Sequence, residues 1–250
     1  MKIDNISAVV TGAASGLGRA VAGALAAGGA QVIGIDLQNS IDKAETAEGI
    51  KFIAADVTSE EQVQKALEQL SEAPLRVAVN CAGIAPAQRI LSSKGAHDLE
   101  LFRKTIDINL VGSFNVLRLV AEKMAGNDPL ENDQRGVIIN VASVAAYEGQ
   151  IGQAAYASSK GGIVGLTITA ARDLARNGIR VNTIAPGIID TPLLAALGPE
   201  VNASLAASVP FPQRLGTPAD FARLALMIVE HDYLNGETIR MDGALRMPPK

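Results

Sequence analysis

The alternation of short apolar runs with segments of helical pattern constrains the fold more than any other feature. The first run, residues 7–11 (SAVVT), is followed by a glycine-rich turn and a helical segment, and this order repeats along the chain. Strands that alternate with helices predict a parallel sheet whose two faces are covered by the helices. The predicted strands are 7–11, 31–36, 51–57, 76–80, 137–141, 180–184 and 237–241, and the predicted helices are about 17–27, 59–70, 98–125, 156–176 and 217–230.

We therefore predict an α/β fold: a single-domain, Rossmann-type doubly wound parallel sheet of seven strands with helices on both faces. The 250 residues are enough for one such domain, which would span 1–250. Residues 37–50 are too short and mixed for a long helix, and residues 85–96 form a loop. Residues 186–212 are irregular, and about 188–212 of them are expected to form a substrate lid.

Signals at helix ends support these boundaries. Ser59 and Gln62 have the spacing of a capping box. Thr217 followed by Pro218 predicts an N-cap with proline at the first helical position. Gly178 has the position of a left-handed residue that ends a helix.

Composition and charge exclude several functional classes. The net charge of −4 and the pI near 5.3 argue against general binding of nucleic acid or an anionic membrane. The single cysteine, Cys81, allows no internal disulfide, and without a Cys/His cluster we predict no metal site. No apolar run reaches the roughly 18 residues that span a bilayer, and the first strand begins too early for a targeting peptide. We expect a cytoplasmic protein.

A glycine-rich turn joins the first strand to the first helix. Glycines allow the backbone to turn tightly and to approach a pyrophosphate, while the helix N-terminus offers free N–H groups. Gly12, Gly16 and Gly18 have the spacing G-x-x-x-G-x-G, which differs from the more usual G-x-G-x-x-G. The alternative is a turn that serves tight packing alone. The position of the turn in the chain favours a nucleotide site.

Asp36 ends the second predicted strand, eighteen residues after Gly18. A carboxylate at this place can accept hydrogen bonds from both ribose hydroxyls of a dinucleotide and repel a 2′-phosphate. The residue therefore favours NAD over NADP. A solvated acid at a strand end is the alternative.

Tyr156 and Lys160 lie four residues apart on a predicted helix, with Ser143 thirteen residues upstream of Tyr156. Residues four apart share a helical face, so the phenol and the ammonium point into the same space. The positive charge favours the phenolate and would lower a tyrosine pKa that is ordinarily near ~10. Such a tyrosine can take a proton from an alcohol. An exposed helix with an unrelated Tyr and Lys is the alternative.

In the order of its motifs the chain resembles the short-chain dehydrogenase/reductase superfamily over essentially its whole length. The motifs are Thr11-Gly12-x3-Gly16-x-Gly18, Asp56-Val57, Asn80-Cys81-Ala82-Gly83, Asn109, Ser143, Tyr156-x3-Lys160 and Pro186-Gly187. The longer runs 80–85, 114–124, 134–165, 171–187, 191–194, 209–216 and 234–247 resemble the type-2 3-hydroxyacyl-CoA dehydrogenases, also called 17β-hydroxysteroid dehydrogenase type 10.

This resemblance implies roles for individual residues. Ser143 would bind the substrate oxygen, Tyr156 would exchange the proton, and Lys160 would hold the nicotinamide ribose. Asn109 would anchor a water that relays the proton; a helix-interior Asn that bonds locally is the alternative. The implied catalytic residues are Asn109, Ser143, Tyr156 and Lys160. The implied NAD-binding residues are Gly12, Ser15, Gly16, Leu17, Gly18, Asp36, Asp56, Val57, Asn80, Cys81, Ala82, Gly83, Tyr156, Lys160, Pro186, Gly187, Ile189 and Thr191. The implied substrate-binding residues are Ser143, Gln150, Gln153 and Tyr156.

The substrate side leaves alternatives open. Arg89 and Lys94 could meet the phosphates of coenzyme A, or they could belong to a solvated loop. Gln150 and Gln153 would border the acyl group, and as surface residues they would need no explanation. A set of apolar residues near the lid could line an acyl pocket or be plain core: Ala145, Ala146, Ile151, Leu193, Leu194, Leu197, Leu205 and Val209.

The resemblance implies an NAD-dependent 3-hydroxyacyl-CoA dehydrogenase, with 2-methyl-3-hydroxyacyl-CoA as a possible substrate. Fatty acid metabolism or branched-chain amino acid degradation would then be its pathway. The alternatives are a steroid or other secondary-alcohol dehydrogenase, a 3-oxoacyl-carrier-protein reductase, and a non-catalytic dinucleotide sensor. The reductase would use NADPH, and Asp36-Leu37-Gln38 offers no basic residue for a 2′-phosphate. The expected partners are a small acyl-CoA or secondary alcohol and further copies of the chain in a homotetramer, packed through helices 98–125 and 156–176.

Overall fold

The computed structural model describes residues 1–191, 194 and 198–249, and a sheet of seven parallel strands forms its centre. The strands are β1 Ser7–Thr11, β2 Gln31–Asp36, β3 Ile50–Ala54, β4 Leu75–Asn80, β5 Leu91–Ser92, β6 Gly95–Ala96, β7 Gly136–Val141, β8 Ile179–Pro186 and β9 Thr238–Met241. The helices are α1 Gly16–Ala27, α2 Gln38–Ile41, α3 Glu60–Leu67, α4 Leu99–Ile106, α5 Ser113–Ala125, α6 Ala154–Leu174, α7 Pro199–Ala207 and α8 Pro218–Glu230.

The sheet has the order β3-β2-β1-β4-β7-β8-β9, and β5 and β6 form a separate hairpin. All strand pairs of the sheet are parallel. The chain reverses its direction of travel across the sheet between β1 and β4, which is where an open α/β sheet binds its ligand. Thr11 pairs with Asn80, and Asn80 pairs with Asn140, so the carboxyl ends of β1, β4 and β7 are level. The predicted fold class is confirmed.

Helices cover both faces because successive strand residues point to opposite sides. Val10 packs into a core with Leu25 of α1 and Phe221 of α8. Val9 points the other way, into a core that includes residues of α3, α5 and α6. Strands β4, β7 and β8 are buried at every position, as expected for central strands of a parallel sheet.

Two predicted helix ends are confirmed. Gly178 follows a 3-10 turn at Ala175–Asn177 and has φ +68°, the left-handed conformation that a glycine adopts without strain. Thr217 caps α8: its hydroxyl accepts from the Asp220 N–H, and the Asp220 carboxylate accepts from the Thr217 N–H.

Other boundaries differ from the sequence prediction. The third strand ends at Ala54, not residue 57, because Asp56 turns the chain: its carboxylate accepts from the Thr58 N–H at 2.9 Å. The next helix runs over Glu60–Leu67. Ser59 accepts from the Gln62 N–H, but the Gln62 side chain accepts from the Asp56 N–H, so only half of the capping box forms.

Three further segments contain structure that the sequence pattern did not predict. The loop expected over 85–96 contains the hairpin of β5 and β6. The helix expected over 98–125 is interrupted by a π-helical turn, Asp107–Gly112, which we call the π-turn. The stretch 186–212, expected to be irregular, contains α7, whose first residue is a proline; proline is tolerated there because the first helical N–H has no intrahelical partner. Leu193 and Leu197 of the predicted acyl pocket lie outside the described residues, and the substrate lid expected over about 188–212 stays a prediction.

Candidate active site

A crevice of about 500 Å³ lies at the carboxyl edge of the sheet, where the strand order reverses. All the predicted cofactor residues except Asn80 line it, together with Ser143. Sequence reasoning missed these lining residues: Ile35, Leu37, Ser40, Ala55, Ile84, Ala85, Ile108, Val141 and Ala142. Most of them are neighbours of motif residues and could have been found in that way, but Ile108 comes from the π-turn.

The glycine-rich turn brings backbone to one end of the crevice. Gly12 has φ +64°, and a Cβ there would lie 2.9 Å from the Ala82 backbone nitrogen. A Cβ at Gly18 would overlap with the Gly12 carbonyl oxygen. The N-cap residue of α1, Ser15, makes no side-chain hydrogen bond to the helix, so the first turn keeps N–H groups for an anion. This end of the crevice fits a dinucleotide pyrophosphate.

Asp36 lies beside this turn at the end of β2. Its carboxylate accepts from the Ala14 N–H at 3.0 Å and from the Leu37 N–H at 2.8 Å, which fixes its orientation. Among the described residues that line the crevice, Lys160 is the only lysine or arginine. Asp36 therefore gives this end of the crevice a negative charge without a basic neighbour among the described lining residues.

Ser143, Tyr156 and Lys160 line the other end of the same crevice. Ser143 follows β7, and its hydroxyl accepts from the Ala145 N–H at 3.1 Å. Tyr156 and Lys160 lie one turn apart near the start of α6, and the Lys160 Nζ lies 5.8 Å from the centre of the Tyr156 ring. The Lys160 Nζ also donates to the Val141 carbonyl at 2.7 Å.

Burial shifts both titratable groups toward their neutral forms. Burial raises the pKa of Tyr156 above its ordinary value of 10, although a hydrogen bond from the Ser143 side chain opposes the shift. Burial lowers the pKa of Lys160 to about 8. The lowered tyrosine pKa expected from the Tyr156–Lys160 spacing is therefore not found in the chain alone, because the effect of burial is larger than that of the Ser143 hydrogen bond.

Cys81 lies in the crevice with a pKa raised to about 12 by burial, against an opposing effect of Lys160. Its thiol is therefore neutral at physiological pH. A neutral, partly buried thiol acts as a small apolar side chain.

Asn109 and Asn80 do not line the crevice; both support it from behind. Asn109 lies in the π-turn, and its amide bonds to both backbone groups of Ile84, with the oxygen 2.8 Å from the Ile84 nitrogen and Nδ2 2.9 Å from the Ile84 oxygen. Asn80 on β4 donates to Asn140 on β7 at 2.9 Å and so links two strands under the crevice.

Gln150 and Gln153 lie outside the crevice, in a shallow cavity of about 420 Å³ that Arg89 and Ile151 also line. The Gln153 side-chain oxygen accepts from the Gln150 N–H at 3.0 Å, and the Gln150 amide donates to the Pro248 carbonyl at 3.1 Å. Their predicted contact with substrate stays a prediction.

The apolar residues predicted near the substrate do not form one pocket in the described part of the chain. Ala145 is buried in the core, Ile151 lines the shallow cavity, and Val209 lines a third cavity of about 460 Å³. Across the residues described, no helix is both long and apolar enough to cross a membrane, and no cluster of three or more His, Cys, Asp or Glu side chains could hold a metal ion. The cytoplasmic location stays a prediction.

The lowered pKa of Lys160 predicts a stability effect with a defined pH dependence. Below pH 8 Lys160 is charged in both the folded and the unfolded chain, and burial of this charge destabilises the fold by its full amount. Between pH 8 and about 10.5 the folded chain has lost the proton while the unfolded chain keeps it, so the destabilisation decreases as the pH rises. The full penalty is about 3 kcal/mol. Lys160→Met removes this penalty. The substitution also leaves the Val141 carbonyl without its donor, which destabilises the variant by about 1–3 kcal/mol at any pH.

We therefore expect the wild type to gain about 2–3 kcal/mol of unfolding free energy relative to Lys160→Met between pH 7 and pH 10. Urea unfolding without nucleotide at both pH values measures it. Lys123→Met, at an exposed position of α5, is the control and should show the same difference from wild type at both values. A pH-independent difference for Lys160→Met would contradict the prediction.

Comparison with known proteins agrees with this geometry. The sequence model of the family described as short chain dehydrogenase matches residues 7–202. The 3-hydroxyacyl-CoA dehydrogenase type-2 of Bos taurus is 53% identical over 254 residues, which cover 99% of this chain and 97% of that protein. The protein of the same name from Drosophila melanogaster is 51% identical over 255 residues, which cover 99% of this chain and 100% of that protein.

A solved structure gives the same result. The crystal structure of 3-hydroxyacyl-CoA dehydrogenase type-2 from Mycobacterium avium superposes with a TM-score of 0.92 at 46% identity and covers 98% of each chain. The family model matches most of the chain, the sequence identities and the superposed fold extend over almost its whole length, and the chain belongs to the short chain dehydrogenase family.

Proposed function

We propose that this protein is an NAD-dependent oxidoreductase that interconverts 3-hydroxyacyl-CoA and 3-oxoacyl-CoA esters by hydride transfer. The observation that carries the proposal is one continuous crevice with a pyrophosphate-binding turn and Asp36 at one end and Ser143, Tyr156 and Lys160 at the other. Similar proteins over almost the full length are named 3-hydroxyacyl-CoA dehydrogenase type-2, which supports the substrate class.

Backbone and side-chain groups of this chain are placed to hold the cofactor. The N–H groups at the start of α1 would bind the pyrophosphate, and Asp36 would accept from the adenosine ribose hydroxyls. Lys160 uses one N–H on Val141 and keeps two for the nicotinamide ribose. When bound, the nicotinamide supplies the hydride chemistry.

Ser143 and Tyr156 would handle the substrate oxygen and its proton. The Ser143 hydroxyl accepts from the Ala145 N–H, so it can donate its own proton to the substrate oxygen or to a Tyr156 phenolate. The raised pKa keeps Tyr156 protonated, as the reduction of a ketone requires of its proton donor. In the oxidation direction the Lys160 ammonium, charged below about pH 8, would favour the phenolate.

Steady-state turnover tests the proposal. With NAD we expect the highest kcat/KM on a 3-hydroxyacyl-CoA ester among 3-hydroxybutyryl-CoA, its 2-methyl analogue, a longer-chain ester and a hydroxysteroid. The preferred acyl chain would then favour either fatty acid metabolism or branched-chain amino acid degradation. Activity only on alcohols that lack CoA would contradict the proposed substrate and favour the secondary-alcohol alternative.

Tyr156→Phe separates an enzyme from a dinucleotide sensor. We expect this variant to lose about 100- to 10,000-fold in kcat while it still binds NAD, because it loses only the proton donor and acceptor. Tyr147→Phe is the matched control, since this tyrosine is half exposed and stacks against Arg240 outside the crevice. A Tyr156→Phe variant with wild-type kcat would contradict the assigned role.

We infer NAD over NADP from Asp36, and a second variant tests this preference. Asp36→Asn keeps the size of the side chain but removes the charge that would bind ribose hydroxyls and repel a 2′-phosphate. Charged hydrogen bonds contribute about 1.5–3 kcal/mol, so the ratio of kcat/KM for NAD to that for NADP should fall by about 10- to 100-fold. Asp42→Asn, at an exposed position outside the crevice, is the control. A wild type that prefers NADP would contradict the proposal.

We also propose that the chain forms a homotetramer through the helices that include α4, α5 and α6. Apolar side chains on this part of the surface are exposed in the single chain: Leu99, Val111, Phe114 and Ile168. Exposed apolar side chains on neighbouring helices are a common feature of protein interfaces. Light scattering should give about four times the chain mass of 25.9 kDa, and the mass of one chain would contradict the proposal.

A further inference from the structure

We propose that Ser159 is a positioning residue of the active site, through which the π-turn holds Tyr156 in place. This inference rests on the proposed function. Ser159 precedes Lys160 on α6 and is completely buried, whereas its neighbour Ser158 is exposed. The Ser159 hydroxyl donates to the Tyr156 carbonyl at 2.8 Å and accepts from the Asn109 Nδ2 at 3.0 Å.

The hydrogen bonds of Asn109 determine which atom donates and which accepts at each contact of Ser159. The Ile84 N–H can only donate, so the amide oxygen of Asn109 must face it and the amide nitrogen must face Ser159. The nitrogen uses its second hydrogen on the Ile84 carbonyl. Ser159 must then accept from Asn109, and its single proton goes to Tyr156. Each group in the chain has one defined orientation.

The π-turn places Asn109 where it can make these contacts. Its backbone carbonyl accepts from the Ser113 hydroxyl at 2.8 Å, so the residue is held along the helix as well as through its side chain. Leu110, the next residue, packs so closely on Gly162 that an added Cβ would lie 2.6 Å from its Cδ2. The π-turn therefore packs directly against α6, with Asn109 in contact with Ser159 and Leu110 in contact with Gly162.

The first turn of α6 lacks a side-chain cap, so the hydrogen bonds of Ser159 are needed to hold it in place. Tyr156 is the third residue of the helix, and the N-cap residue Gln153 makes no side-chain hydrogen bond to the first turn. An uncapped first turn is the part of a helix that frays most readily. The bond from Ser159 to the Tyr156 carbonyl ties this turn, through Asn109, to Ile84, which lines the crevice after β4. Ser159 thus sets the position of the Tyr156 side chain relative to the crevice.

The test compares Ser159→Ala with Ser158→Ala, two identical changes at adjacent positions. A small displacement of a reacting group costs on the order of 100-fold in rate, so we expect Ser159→Ala to lower kcat by about 10- to 100-fold. The KM values for NAD and substrate should stay within about twofold, because the binding groups are retained. Ser158→Ala should match the wild type in kcat. A Ser159→Ala variant with the kcat of the wild type would overturn the proposal.

A double variant shows whether Ser159 acts through Asn109. If it does, adding Ser159→Ala to Asn109→Ala should cause no further loss of kcat, because the contact is already gone. A full additional loss would overturn the proposed path. If Ser159→Ala does not fold, Ser159→Cys supplies the same comparison, since a thiol has nearly the size of the hydroxyl and bonds weakly.

Hydrogen exchange of the Ile84 amide provides a readout that needs no turnover. This N–H donates to Asn109, so Ser159→Ala should raise its exchange rate at least about tenfold, and Ser158→Ala should not. Absence of turnover in the wild type would contradict the proposed function alone, and the Ile84 exchange rate would still decide on Ser159. Unchanged exchange in Ser159→Ala would overturn the positioning role.

Discussion

The buried hydrogen bond from Lys160 to the Val141 carbonyl is the contact on which the geometry of the crevice depends. It joins α6 to the carboxyl end of β7, and it brings the side chain of Lys160 beside Tyr156. The ammonium gives up its hydration for one carbonyl partner, and burial lowers its pKa to about 8. An apolar side chain would be easier to bury here, so the chemistry of the site opposes the stability of the fold.

The parallel sheet explains how residues far apart in sequence reach one crevice. Every strand ends at the same edge, so the segments that follow β1, β2, β4, β7 and β8 all contribute to its lining. The close approach of two of these segments requires glycine, because a Cβ at Gly12 would meet the backbone of Ala82. The motifs are short for this reason: each needs only the residues at one strand end, and the sheet supplies their mutual positions.

The sequence predicts those parts of the site that depend on local pattern. The glycine turn, Asp36, Ser143 and the Tyr156–Lys160 pair all lie at strand ends or on one helical face, and the structure brings them together. The π-turn has no such pattern, since one extra residue hardly changes the apolar periodicity of a helix, and so the contact of Asn109 with Ser159 was not predicted. The side-chain contact of Gln150 depends on the distant Pro248, which no local pattern reveals.

The opposite pKa shifts of Tyr156 and Lys160 have one cause and a joint consequence. Burial raises the first and lowers the second, so each group is held toward its neutral form. A phenolate next to an ammonium would relieve both penalties, because each charge would then have a partner. Because the Lys160 Nζ lies 5.8 Å from the centre of the Tyr156 ring, removing the proton of Tyr156 should raise the pKa of Lys160. Any group that brings positive charge to this end of the crevice would favour the Tyr156 phenolate but disfavour the Lys160 ammonium. The hydrogen bond to the Val141 carbonyl would then help to keep Lys160 protonated.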